Sequence, residues 1–160
     1  MRIQLNHVRP TPLIPDGMDP QSNIWNSSYR FESGQKYLVK APSGKGKSTF
    51  IHLLYGIRKD FEGQIQLQDQ DSKTFDAKHW AKLRRQSLSI VFQDLRLFPQ
   101  LSAWDNIQLN AQLHPHKSEA EIRDMAALLG VDSLLAQQAS TLSYGQQQRI
   151  ALIRSLCQPF

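Results

Sequence analysis

Ala41-Pro42-Ser43-Gly44-Lys45-Gly46-Lys47-Ser48 is the stretch that decides how the rest of this chain reads. Small residues there let consecutive backbone N–H groups curl round a chain of phosphates. The spacing fits the glycine-rich phosphate loop that joins a strand to a helix, with Ala41 at the first glycine position. Ahead of it, Lys36-Tyr37-Leu38-Val39-Lys40 predicts a strand. Behind it, Phe50, Ile51, Leu53, Leu54 and Ile57 fall on one face of a helix that stops near Gly56. The start of that helix offers free N–H groups and a positive dipole end to the same anion. Lys47 can reach terminal phosphates, and the Ser48 hydroxyl is of the type that ligates magnesium. A Gly-Lys-rich surface turn would need neither the strand nor the helix.

Working outward, Ile3, Leu5 and Val8 predict a short strand. Pro10, Pro12, Pro15, Gly17 and Pro20 predict an extended loop or edge segment over 9–20, and Glu32-Ser33-Gly34-Gln35 a turn. Gly63–Leu67 alternates apolar and polar as a half-buried strand does. Residues 76–85 predict a helix with a basic end (Lys82, Arg84, Arg85), and Ser87–Phe92 a second core strand through Leu88, Ile90 and Val91. From about 100 to 140 the pattern is helical only. Ser102–Asp105 and Ser118–Glu121 read as capping boxes, and Gly130 closes the second helix. A last helix runs from about Gly145 to Cys157 and ends before Pro159. Alternating strands and helices followed by helices alone predict an α/β nucleotide-binding core carrying a helical insert.

The chain has 160 residues, 40% hydrophobic and 21% charged, with net charge +5. These values predict a globular domain rather than a disordered chain. No apolar run reaches the ~18 residues of a membrane span, and the start has no apolar stretch of signal-peptide length. Cys157 is the only cysteine, which excludes an internal disulfide and a cysteine zinc site and suits a reducing compartment. The basic excess is mild and scattered, as on a solvated surface, so no nucleic-acid partner is expected. His114-Pro115-His116 reads as an exposed loop rather than a metal site, and Cys157 as a buried thiol.

Two further stretches carry chemistry. In Leu142-Ser143-Tyr144-Gly145-Gln146-Gln147-Gln148-Arg149, Ser143 reads as an N-cap and Gly145 permits close backbone approach at a helix start. In Ile90-Val91-Phe92-Gln93-Asp94, a glutamine at a strand end can offer a carbonyl oxygen to a metal or water.

Together, in this order, the three stretches resemble the nucleotide-binding subunit of an ABC transporter. Ala41–Thr49 is similar to the Walker A motif, Val91–Asp94 to the Q-loop, and Leu142–Gln146 to the signature usually written Leu-Ser-Gly-Gly-Gln. Leu95–Ile107 is similar to the stretch after the Q-loop in lipoprotein-exporting and MacB-like cassettes. The resemblance implies an α/β P-loop NTPase core of the ABC type, with an antiparallel N-terminal part and a helical subdomain. Residues 1–94 would form the core, about 95–142 the helical subdomain, and 143–160 the signature helix returning to the core.

It also implies a mechanism. Two subunits pair head to tail as a homo- or heterodimer, with each ATP between one Walker A and the other signature. Ala41, Pro42, Ser43, Gly44, Lys45, Gly46, Lys47, Ser48 and Thr49 would hold the phosphates, and Ser48 and Gln93 would serve magnesium. Lys47 and Gln93 would take the catalytic positions. Ser143, Tyr144, Gly145 and Gln146 would meet the ATP of the partner. Residues 93–107 would receive a membrane permease, placing the chain peripherally on the inner face of the membrane as an ATPase coupled to transport.

The chain departs from the family in four places. Counting on from Ile3 to the usual adenine-stacking aromatic reaches Pro12, and Trp25 and Tyr29 lie downstream. Tyr144 replaces the first signature glycine, so its side chain must point away from the partner's nucleotide. Lys45 adds a charge to the loop. Pro159-Phe160 stands where the family continues into the Walker B strand, so the catalytic base and the switch histidine are not among these residues. The resulting expectation is a chain that alone is marginally stable and inactive, with a reading frame that continues. Other classes remain: a small-molecule P-loop kinase, which leaves the signature unexplained; a non-transport cassette of DNA repair or the ribosome, which needs long inserts or tandem cassettes; and a non-catalytic nucleotide-binding module.

Overall fold

The structure, a computed structural model, describes residues 1–15, 18–113 and 115–160; Gly17 and His114 lie outside the described residues. The chain forms two compact units, Met1–Lys82 and Leu83–Phe160.

The first unit is built on an antiparallel sheet of β1 (Ile3–Pro10), β2 (Ser28–Phe31), β3 (Phe61–Leu67) and β4 (Gln70–Asp71), in the order β2-β1-β3-β4. Leu5 stands opposite both Tyr29 and Ile65, so alternate residues of the central strand share one face. That face buries Leu5, Val8, Ile65 and Leu67. Pairing of β1 with β3 slips between Asn6 and Arg9, where His7 takes φ 48°. The bulge drives β1 backbone into β3: a Cβ on Gly63 would lie 2.3 Å from the His7 carbonyl oxygen. Pro10 ends β1, and Thr11–Leu13 follows as a single 3-10 turn. Helix α1 (Lys47–Leu54) packs Phe50 and Leu53 into the core, whereas Ile51 and Ile57 of the expected apolar face are exposed.

Helix α2 (Ala77–Gln86) carries the division between the units. The second unit packs α3 (Ala103–Leu113), α4 (Glu119–Leu128) and α5 (Tyr144–Leu156) round one apolar core. Each helix contributes a stripe at helical spacing: Ala103, Ile107 and Ala111; Ile122 and Ala126; Ile150, Ile153 and the thiol of Cys157 just beyond. Gly130, at φ 63°, follows the end of α4. The Ser118 box is complete, with Ser118 and Glu121 each bonding the other's backbone N–H. At α3 the Asp105 N–H donates to Ser102 Oγ at 3.0 Å.

Two expected strands are corrected. Neither Lys36–Lys40 nor Ser87–Phe92 belongs to a ladder among the described residues. Apolar strands of this type are set by neighbours on both edges, and the described residues place none beside them. Leu38 is consequently 80% exposed, and the segment is fastened by Tyr37, whose hydroxyl accepts from the Glu32 N–H at 2.8 Å. Leu88 and Ser89 are instead tied by side chains: Gln158 Nε2 donates to Leu88 O at 2.6 Å, and Ser89 Oγ to Ser155 O at 2.6 Å.

Glu121 accepts from the Ser118 backbone N–H, Lys117 and the Ser118 hydroxyl, which together lower its pKa from 4.5 to about 2. Because the folded value is depressed, this stabilisation is complete above pH 4.5 and drains away as the pH falls towards 2. A carboxyl 13C titration is expected to place Glu121 near 2; a midpoint at the ordinary glutamate value would contradict the box.

Candidate functional site

The octet forms the expected loop. Lys45 N–H closes a turn onto Pro42 O at 3.4 Å, and Gly44 and Gly46 take left-handed φ values of 77° and 87°. Gly46 is the N-cap of α1, and the first helical bond runs from Phe50 N–H to Gly46 O at 2.8 Å. Lys47, Ser48 and Thr49 occupy the first turn, so helix geometry gives their N–H groups no intrahelical acceptor. Lys47 Nζ folds back to donate to Ala41 O at 2.5 Å and Pro42 O at 2.7 Å, keeping a positive charge at the mouth of the loop. Open amide donors, a glycine cap and an ammonium fit the β- and γ-phosphates of a nucleotide.

Trp25 had no assigned role in the sequence. It is only 9% exposed and lies against the loop. Its Nε1–H donates to Lys45 O at 3.4 Å, and its ring meets Phe50 of α1 edge to face at 5.9 Å. A Cβ on Gly46 would come within 2.5 Å of Leu13 Cδ1 and 3.2 Å of Trp25 Nε1. Trp25 is therefore committed to holding the loop and does not stand free as a stacking face. Two hollows flank it. One of about 300 Å³ is lined by Tyr29, Phe31, Tyr37, Lys40 and Lys47 among others. The other, of about 290 Å³, is lined by Leu13, Met18, Asp19, Ser43 and Gly44 with Lys45.

In the second unit, Ser143 is the N-cap of α5, as its sequence position predicts. A capping box with Gln146 completes it: Ser143 N–H donates to Gln146 Oε1 at 2.8 Å, and Gln146 N–H to Ser143 Oγ at 3.4 Å. Gly145 is exposed in the first turn. Tyr144 turns its hydroxyl onto the Gln93 carbonyl oxygen at 3.0 Å, so the structure brings Gln93 and Tyr144 together. Gln93 itself sits in an exposed turn with Asp94. After it, Leu95 is buried while Phe98 is 54% exposed. Fully buried Asn106 holds Phe98 at both ends of its backbone, accepting from Phe98 N–H at 2.8 Å and donating to Phe98 O at 3.0 Å and Ser102 O at 3.0 Å. Sequence reasoning missed Asn106 because an asparagine inside an apolar helical stripe carries no local mark of its partners.

Among the described residues, no cluster of three or more His, Cys, Asp or Glu side chains is placed to hold a metal ion, and no helix is long and apolar enough to cross a membrane. His116 lies in an exposed stretch. Burial pushes the Cys157 thiol up to about 11 against the opposing pull of Lys117, and its Sγ–H donates to Ile153 O at 3.2 Å.

Residues 24–159 match the ABC transporter family along its domain. The chain belongs to that family. A relative, the lipoprotein-releasing system ATP-binding protein LolD of Idiomarina loihiensis, is 31% identical over 143 residues, covering 88% of this chain and 63% of that protein. The chain thus spans under two thirds of that relative's length. The dimeric structure of MJ0796, a bacterial ABC transporter cassette, superposes with a TM-score of 0.76 at 27% identity, covering 97% of this chain and 69% of that one. A post-hydrolysis dimer of the same cassette, bound to ADP and Pi, gives 0.74 at 26% identity with the same coverages. The family and these neighbours give the fold class: an ABC ATPase cassette with an α/β P-loop NTPase core.

The crowding at Gly46 predicts a ranking. Gly44→Ala should cost about 1–2 kcal/mol, the strain of a left-handed residue with open space around it. Gly46→Ala should cost clearly more, because the same strain adds to the contacts with Leu13 and Trp25. Urea unfolding of both variants measures this; equal losses would mean that Trp25 and Leu13 do not hold the loop.

Proposed function

We propose that this chain is the nucleotide-holding part of an ATPase subunit that drives an ABC transporter. The observation that carries the reading is the loop from Ala41 to Thr49, which turns through left-handed Gly44 and Gly46 into the open amide end of α1 with Lys47 at its mouth. The loop amides and Lys47 would hold the β- and γ-phosphates of ATP, and Ser48 would take magnesium, which supplies charge neutralisation on those oxygens when bound. Gln93 would serve the same chemistry from the turn that Tyr144 holds. Ser143, Gly145 and Gln146 would face the nucleotide of a second subunit, in the manner of a cassette dimer. The Tyr144 hydroxyl, engaged on Gln93, leaves that approach free of its ring tip.

Residues 93–107 would dock a permease, so that the chain works from the inner face of the membrane. The exposed Phe98, held out by Asn106, is the apolar contact such docking requires. The kinase alternative is less favoured because the family match extends through the whole Ser143-capped helix, which a phosphate-acceptor enzyme leaves without a task.

Two outcomes check the reading. Lys47→Ala removes a charge-assisted donor worth about 1.5–3 kcal/mol, so calorimetric titration with ATP–magnesium should show affinity lower by tenfold or more. Unchanged affinity would remove the phosphate-loop assignment. A cysteine at Phe98 would be the reactive one, since Cys157 is buried and its thiol is pushed up to about 11. In whole membranes it should crosslink to the cytoplasmic loops of a multi-span permease; crosslinks confined to soluble proteins would contradict the transporter reading.

A further inference from the structure

Immediately after Gln93 the backbone does something costly. Leu95 and Arg96 both take left-handed conformations, at φ 57° and 48°, and neither is glycine. Side chains with a Cβ adopt that region rarely, and two in succession persist only where the surroundings over-determine them. Those surroundings are largely one helix. Tyr144, in the first turn of α5, donates to the Gln93 carbonyl at 3.0 Å. Three turns further along the same helix, Arg154 donates to Leu95 O at 2.6 Å through Nη2 and to Arg96 O at 2.7 Å through Nη1. Three of four consecutive carbonyls, at 93, 95 and 96, thus point at α5. The turn is closed by its own groups as well: Leu95 N–H donates to Phe92 O at 3.0 Å, the Arg96 guanidinium lies 3.7 Å over the Phe92 ring, and it pairs with Asp94 at 3.5 Å.

Arg154 and Tyr144 divide the work. Arg154 is half-buried and bonds the strained residues themselves, which makes it the structural brace. Tyr144 is 57% exposed and contributes little packing, yet its hydroxyl reaches a residue 51 positions away at the one carbonyl adjoining the Gln93 side chain. A hydroxyl fixed on that oxygen anchors the Gln93–Asp94 peptide and so restrains the stretch of backbone from which the Gln93 side chain leaves. The same tyrosine is flanked by the Ser143 cap and Gly145, so a displacement at the start of α5 is transmitted to Gln93 through a single bond.

We propose that Tyr144 is a positioning residue for Gln93, its hydroxyl fastening the start of helix α5 to the turn that carries the glutamine so that the two respond together. The proposal rests on the reading of Gln93 and the Ser143 turn as nucleotide-facing. Its first test is independent of that reading.

Tyr144→Phe keeps the ring and removes only the hydroxyl. In the full chain without nucleotide, amide exchange at Leu95 and Arg96 should become about three- to tenfold faster, the range for loss of one hydrogen bond, while Ile107 and Ile150 amides keep their rates. In the assembled transporter, the variant should lower kcat several-fold with KM for ATP within twofold of the parent, because an orienting group is lost and a phosphate contact is not. Unchanged exchange would overturn the tether whatever the kinetics. Faster exchange with unchanged kcat would overturn the positioning role and leave only a surface bond. Failure of the nucleotide reading itself would appear elsewhere, as Lys47→Ala binding ATP normally, with the exchange result standing.

Discussion

The backbone of Gly46 runs close against two side chains. Leu13 closes on it from one direction and the Trp25 indole from another, and its φ of 87° belongs to glycine. Much of the first unit follows from that crossing. The chain turns there, α1 begins at Lys47 with no side-chain cap on its opening amides, and Phe50 and Leu53 are buried, Phe50 between the rings of Trp25 and Phe31. Trp25 donates to Lys45 O, so the indole engages that carbonyl, while the Ala41 and Pro42 carbonyls meet the Lys47 ammonium. A cradle of donors is what a polyphosphate would need, and the proposed one is the turn through Gly44 and Gly46 that Trp25 buttresses.

The second unit meets a different demand, holding irregular backbone in place where its described residues form no sheet. It does so with side chains that bond main-chain groups. Asn106 fixes Phe98 from within the core, Arg154 and Tyr144 fix the Gln93–Arg96 turn from α5, and Gln158 fixes Leu88. Each of these side chains answers a carbonyl or N–H that no ladder satisfies. The apolar stripes of α3, α4 and α5 supply the rigid frame from which they reach. Function in such a unit sits on loops whose geometry is set by the helices behind them.

Local chemistry was legible in the sequence and tertiary chemistry was not. The phosphate loop, the helix after it, and the caps at Ser118 and Ser143 were readable because each depends on residues within a few positions of one another. Tyr144 was readable only as a constraint, that its ring must point away from a second subunit's nucleotide; that it points to Gln93 is a contact across 51 residues. Trp25 had no role legible in the sequence and is a buttress, because its partners Lys45 and Phe50 belong to the loop and helix that begin some 20 positions further on. The segments 36–40 and 87–92 have the composition of core strands but lie outside any ladder, since β pairing depends on which partners stand beside a strand.

The most direct test of the central claim, that the Gly46 crossing creates a donor cradle for a nucleotide's phosphates, is a backbone amide titration of the chain with ATP–magnesium followed by 15N NMR. The amides of Gly44, Lys45, Gly46, Lys47 and Ser48 should show the largest shifts, accompanied by the Trp25 indole N–H, which reports the Lys45 carbonyl it bonds. Saturable shifts centred anywhere else in the chain, with those five amides and the indole unmoved, would contradict it.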